Sequence, residues 1–408
     1  MAAVLTFYLL SLLCFSANAR AGHGRGKPLP LETTKVFHAA SYFSEYDSQR
    51  VTIKYAPVSV PPMTENDGMA QYFQPSTTLP CRDCVITLLE MGLEHADGRV
   101  ADADTGMWLH HGVMVNRNQS DAVCGKGSYG QRFAASGNER TAIDFSGGGS
   151  VKAGYYIGRS DEVALAVDLM NMLHSEPQTD VVFTITYEYV QGRHTRDFTA
   201  LTPYWMDVGG CRTSDVPAYR DSAFNYSSPV LKGSPQGVVA FVAGHLHDGG
   251  THIDLLKNGK AVCSVKAFYN QYRYLGEGKM TEHVSSIESC ALMTETTPED
   301  EWSITAYYDT RVHEPMGMMD GSLEPVMGIM LVYVAPGLDV GHGGATKSKC
   351  LNVVLGLGSL TAVVLLVGVW CYLQGRCGFG KKTWTPMATL SNRDRDLEQE
   401  AVEPLMKT

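Results

Sequence analysis

Positive charge is in short supply. The 408-residue chain sets 33 Lys and Arg against 43 Asp and Glu, a formal net charge of −10, and so lacks the basic field that nucleic-acid binding requires. Charge of either sign is sparse, at 19% of residues against 44% apolar ones, which excludes a disordered or coiled-coil chain. No internal repeat is visible. No second Cys-x-x-Cys motif accompanies Cys81 and Cys84, which argues against a paired-knuckle zinc site. What remains is one or two loop-rich globular domains, with 41 Gly for turns and ample length for a core.

Two long uncharged runs set the expected compartment. Residues 2–16 are almost wholly apolar and precede Ala17-Asn18-Ala19, a small-x-small pattern that predicts a signal peptide over residues 1–19. Residues 351–373 carry no charge, and a helix of that length can cross a hydrocarbon layer about 30 Å thick. A hydrophilic segment follows it, with Arg376, Lys381 and Lys382, so a glycolipid-anchor signal does not fit. The expected topology is a single-pass protein of the plasma membrane or a secretory membrane, its ectodomain outside or lumenal. A stalk is expected over residues 338–350 and a disordered cytoplasmic tail over 374–408.

The ectodomain reads as strands. Runs such as Val181-Val182-Phe183-Thr184-Ile185-Thr186-Tyr187, Gly237-Val238-Val239-Ala240-Phe241-Val242 and Met327-Gly328-Ile329-Met330-Leu331-Val332-Tyr333 are β-branched and aromatic, which suits a pleated sheet. Turn signals separate them, notably Asp248-Gly249-Gly250 and Lys257-Asn258-Gly259-Lys260, the second a strong hairpin signature. The predicted class is all-β, with β-sandwich domains over residues 28–212 and 213–337 joined near Cys211 to Pro229.

Six cysteines fall in the ectodomain: Cys81, Cys84, Cys124, Cys211, Cys263 and Cys290. An even number outside the cell predicts disulfides, although six cysteines leave 15 pairings open. Cys263 with Cys290 is the preferred pair. Asn118-Gln-Ser and Asn225-Tyr-Ser are glycosylation acceptors, which places Asn118 and Asn225 on the surface.

The chemistry concentrates in histidines. His110 and His111 are adjacent, while His245 and His247 alternate at the end of a strand-like run. In a strand, residues i and i+2 share a face, so His245 and His247 can reach one metal without distortion and are expected to form the tighter site. His110 and His111 would point to opposite faces unless a bulge intervenes. Imidazole suits copper, zinc, iron or nickel, so the donors alone do not name the metal.

These motifs, in this order, resemble the type II copper, ascorbate-dependent monooxygenases of the peptidylglycine and dopamine class. The likeness rests on His110-His111-Gly112-Val113-Met114, on Gly154-Tyr155-Tyr156-Ile157 leading to Val163-Ala164-Leu165-Ala166-Val167, on His245-Leu246-His247 with its following hairpin, and on Met327 at the head of the last strand. The chain resembles, in particular, membrane-anchored fungal members of unestablished function. The resemblance implies two jelly-roll-like sandwiches, each with a copper, across a solvent cleft. It makes His245, His247 and Met327 the ligands at the oxygen-activating copper, with Met316, Met318, Met319 and Met330 as substitutes for Met327, and it makes His110 and His111 ligands of a copper fed by ascorbate.

Two departures from the family pattern bear on activity. The position of the electron-transfer copper's third His holds Asp168, with His174 six residues further on. The Arg that peptide-amidating members place two residues before the His-x-His pair is Ala243 here, which argues against peptide amidation. Three readings remain: a monooxygenase acting on a small or surface-bound substrate, a copper-binding surface protein without turnover, and a structural or interaction module with vestigial metal sites.

Overall fold

The computed structural model describes residues 26–337, apart from 31, 126–128, 175–177, 234–235, 270–272, 277–278 and 319. The expected signal peptide, the span over 351–373 and the tail lie outside the described residues. Among those described, no helix is long and apolar enough to cross a membrane.

The fold is all-β, as the sequence predicts. The first half supplies β1 (Thr33–His38), β2 (Gln49–Tyr55), β3 (Val58–Val60), β4 (Met69–Gln74), β5 (Cys84–His95) and β6 (Met107–Asn116). It continues with β7 (Gln131–Ser136), β8 (Ile143–Asp144), β9 (Ala153–Ile157), β10 (Val163–Asn171), β11 (Thr179–Gln191) and β12 (Thr199–Ala200). Next come β13 (Thr202–Asp207), β14 (Ala223–Ser227), β15 (Gly237–Leu246), β16 (Gly250–Lys257), β17 (Lys260–Phe268), β18 (Arg273–Gly276) and β19 (Lys279–Glu282). The last strands are β20 (Ser286–Ile287), β21 (Ser289–Thr296), β22 (Trp302–Asp309) and β23 (Gly328–Pro336).

Four larger sheets result. One runs β1-β2-β11-β5-β9-β12, with β3 on β11 and β8 on β5, and another runs β4-β10-β6-β7. The second half forms β13-β23-β15-β21 and β14-β22-β16-β17-β20. Sheet membership changes between Ala200 and Thr202, ahead of the Cys211 to Pro229 stretch where the sequence places the join, because β13 pairs along β23. The predicted hairpin forms between β16 and β17, with Asn258 at φ 51° and Gly259 at φ 75°, the left-handed pair that a tight two-residue turn demands.

The β13-β23-β15-β21 sheet is covered on both faces, and its sequence shows why. Along β23, Ile329, Leu331, Tyr333 and Ala335 belong to the large core shared with the first half, while Met330, Val332 and Val334 belong to the core of the second half. Every residue of β15 is buried. A strand sandwiched between two cores reads as a continuous apolar run, and each fully buried aliphatic side chain contributes about 1.5–3 kcal/mol. Tyr333 donates its hydroxyl to the Phe133 carbonyl at 3.0 Å, so the one polar atom in that run is satisfied from the other half.

A covalent and ionic tie reinforces this seam. Cys124 pairs with Cys211, and the remaining bridges are Cys81 with Cys84 and Cys263 with Cys290. Beside the Cys124 bridge, the Arg132 guanidinium donates to Asp121 at 2.8 Å and lies 4.7 Å from the centre of the Trp205 ring. Asn118 and Asn225 are both exposed.

Candidate metal centre

The imidazole cluster begins with an irregularity in β6. Asp168 of β10 pairs with His111 and Leu169 pairs with Leu109, leaving His110 as the extra residue of a bulge. The bulge turns two consecutive side chains toward one region, which a regular strand forbids. Gly112 follows at a point of close approach, where a Cβ would come within 2.5 Å of the Met91 sulfur.

From the other half, His245 and His247 leave the end of β15 on a common face, the one turned toward the large core. His245 is paired with Ile329 in register, and the backbone N–H of His247 donates to the Met327 carbonyl at 3.4 Å. The two pairs meet. His111 Nε2 and His247 Nε2 are 3.1 Å apart, and so are His110 Nδ1 and His111 Nδ1. His110, His111 and His247 can each offer a ligand atom within 4.8 Å of the others. The ring of His245 lies 5.3 Å from that of His111 and 5.4 Å from that of His247. The sequence places the two pairs in separate centres across a cleft, with His245 and His247 the tighter. The structure instead brings them into one cluster at the seam, because the bulge at His110 and the end of β15 face each other.

Each ring is oriented by an oxygen behind it. His110 Nε2 donates to Glu324 Oε1 at 2.7 Å, and His247 Nδ1 donates to the Pro325 carbonyl at 2.8 Å. His245 Nδ1 contacts both oxygens of Glu139 at 3.1 and 3.2 Å, and His111 Nδ1 lies 3.4 Å from Asp168 Oδ2. An oxygen that can only accept fixes the proton on the facing nitrogen, leaving the second nitrogen with its lone pair. His245 Nε2 is buried with no hydrogen-bond partner, the condition a metal would relieve. The donor set fits a copper ion, to which imidazole is well suited.

Electrostatics follow the same contacts. Burial alone would raise the pKa of Glu324, but the facing rings of His110 and His247 outweigh it and hold the carboxyl at about 2. His110 is disfavoured as a cation by burial, yet the adjacent Glu324 charge raises its pKa overall. His247 is lowered by burial, with His110 and His245 adding to the effect of desolvation against the raising charge of Glu324. Burial would raise Glu139, and the His245 charge more than offsets this.

Met327 immediately precedes β23 and packs against the large core, its carbonyl also accepting from the Tyr308 hydroxyl at 2.7 Å. Met330 faces the opposite core, Met316 packs beside Trp108, and Met319 lies outside the described residues. Asp168 pairs with His111 in register, with its Oδ2 3.4 Å from His111 Nδ1. His174 follows three residues after β10 ends. Glu139 and Glu324 escape the sequence reading, since no local pattern marks a carboxylate whose partner is 106 or 214 residues away.

No family model matches the chain. Over 285 residues it is 40% identical to "Probable copper-dependent oxygenase M1" of Phoma sp., covering 70% of this chain and 72% of that protein. Over 249 residues it is 40% identical to "Probable copper-dependent oxygenase clz3" of Cochliobolus lunatus, covering 61% and 79%. A solved protein of Eubacterium rectale is similar at 11% identity over 70% of this chain and 76% of that one, with a TM-score of 0.18, too low to carry an argument.

Proposed function

Because the chain belongs to the family of probable copper-dependent oxygenases, we propose that His110, His111 and His247 hold one copper ion at the seam, with His245 beside them, and that the protein hydroxylates an organic substrate there. The observation that carries this reading is an oxygen at every ring: Glu324, Asp168, Glu139 and the Pro325 carbonyl each contact one imidazole nitrogen, while Nε2 of His111 and Nε2 of His247 meet at 3.1 Å. Such outer partners fix tautomer and orientation at metal sites. Met327, whose carbonyl accepts the His247 N–H, is the thioether candidate for the ion.

Copper bound there would supply the activation of dioxygen. The overall reaction places one oxygen atom in a C–H bond and releases the other as water, which consumes two electrons and two protons. Ascorbate, giving one electron per molecule, is the reductant that the resemblance to the peptidylglycine and dopamine class implies. The chain itself orients the rings and holds the carboxyls of Glu139 and Glu324, both lowered in pKa, against the donors. Peptide amidation does not fit, since Ala243 is buried in the large core and offers no guanidinium to a peptide carboxylate. The uncharged segment over 351–373 would hold this domain at the outer or lumenal face of a plasma or secretory membrane, where a small or surface-bound substrate can reach it.

Metal analysis of the purified full chain tests the proposal. One copper per chain, with nitrogen couplings in the electron paramagnetic resonance spectrum and dioxygen uptake on adding ascorbate, is the expected result. Two independent coppers would overturn the shared centre. Copper without oxygen uptake would leave a copper-binding surface protein.

A further inference from the structure

His110, His245 and His247 of the imidazole cluster themselves line a recess, which Trp108, Asn138, Glu139, Asp248 and Glu324 complete. Asn138 is only 9% exposed, and neither its Oδ1 nor its Nδ2 has a hydrogen-bond partner. Trp108 is 5% exposed and its Nε1 is likewise unpartnered. Buried polar groups are nearly always paired, and a carboxamide with both atoms orphaned is costly to keep. The two residues that follow Asn138 are each tied to the fold. Glu139 accepts the Gly137 N–H at 2.9 Å while contacting His245, and the Arg140 guanidinium donates to the Ala101 carbonyl. The loop is therefore pinned, and the amide it presents serves no bond within the protein.

We propose that this recess is a subsite holding a neutral, amide-like group of the substrate, one that offers a hydrogen-bond acceptor and a donor side by side. The Asn138 amide supplies the complement of such a group, Nδ2 donating and Oδ1 accepting, and Trp108, which also lines the recess, carries an unpartnered N–H donor. Anions are excluded by charge, because the carboxylates of Glu139, Asp248 and Glu324 line the same space. The adjoining His245, with its buried unpartnered Nε2, would put the anchored molecule next to the metal. This subsite rests on the copper reading only in taking its occupant to be the molecule oxidised.

The test uses the full chain, first stripped of metal by a chelator and then loaded with copper. Acetamide, acetone and acetate are the probes, and saturation-transfer NMR gives their affinities. Acetamide should bind roughly tenfold more tightly than acetone, which lacks the donor, or acetate, which carries charge. Asn138→Leu should bring acetamide down to the affinity of acetone, and Trp108→Phe should weaken it roughly threefold. Asn138→Ala serves the same purpose if the leucine variant does not fold. Equal binding of acetamide and acetone, no measurable binding of acetamide, or an Asn138 variant that binds it as before would each overturn the subsite and leave the recess to water. If the acetamide pattern holds in a chain that takes up no copper, the subsite stands and the oxygenase reading falls. If copper binds and the pattern is missing, the reverse follows.

Discussion

The Nε2 atoms of His111 and His247 stand 3.1 Å apart although 136 residues separate them in the chain. One ring comes from a bulged strand of the first half and the other from the end of β15 in the second, so the centre is complete only when both halves have folded.

Replacement of either ring should therefore remove the same ion. His111→Ala and His247→Ala are each expected to abolish copper binding, as measured by metal content after gel filtration of the full chain. A variant that keeps half of two bound equivalents would show that the rings serve separate ions.

Glu324 governs the charge of His110. Burial pushes the His110 pKa down, and the carboxylate 2.7 Å away more than reverses this. In the metal-free protein, Glu324→Gln should move the NMR titration of His110 to lower pH. An unmoved titration would assign the effect to Asp168 or Asp248.

Gly137 is a contact position. A Cβ there would lie 2.7 Å from Glu139 Oε2, 2.8 Å from His245 Cε1 and 3.0 Å from the His110 carbonyl oxygen. Gly137→Ala should shift the His245 ring, alter the copper spectrum and cost about 1–3 kcal/mol by overpacking. An unchanged spectrum together with unchanged denaturant stability would refute that packing.

Stability should fall in acid through Asp121, among other carboxylates. Burial would raise its pKa, but the Arg132 guanidinium and the Cys124 and Val123 N–H groups bring it below the ordinary value. Since the folded value is lower than the unfolded one, its contribution is complete above the unfolded pKa of about 3.9 and is lost as pH drops through the folded value. The gap in stability between the wild type and Asp121→Asn should thus be widest near neutrality and close below about pH 4. A gap independent of pH would mean that the charge at Asp121 is not what matters.

The Cys124–Cys211 bridge closes a separation of 87 residues. Replacing both cysteines with serine should cost about 2–5 kcal/mol, read from chemical denaturation, with Arg132 still stacked on Trp205 to limit the loss. A smaller cost would indicate that the shared core alone holds the seam.

Much of this arrangement was legible locally. Val181 to Tyr187, Gly237 to Val242 and Gly328 to Tyr333 announce buried strands by composition, and Asn258-Gly259 announces its turn, because backbone geometry depends on neighbours in sequence. Likewise the same-face placement of His245 and His247 follows from strand period. The convergence of His111 on His247 does not, since it depends on how two sheets pack, and neither do the pairing of Glu324 with His110 and of Glu139 with His245. Adjacent histidines required a bulge to act together, and the register of β6 against β10 provides it at His110. Of the cysteine pairs, the sequence favours only Cys263 with Cys290, from its place within one half.

The β13-β23-β15-β21 sheet acts as a party wall between two rooms. Its residues alternate between two cores, so loosening either room strips one side of the same strands and exposes Val, Leu and Ile to water. Neither room then has a complete boundary of its own. The two should melt in a single cooperative transition, and an ion seated against the wall would brace both of them at once.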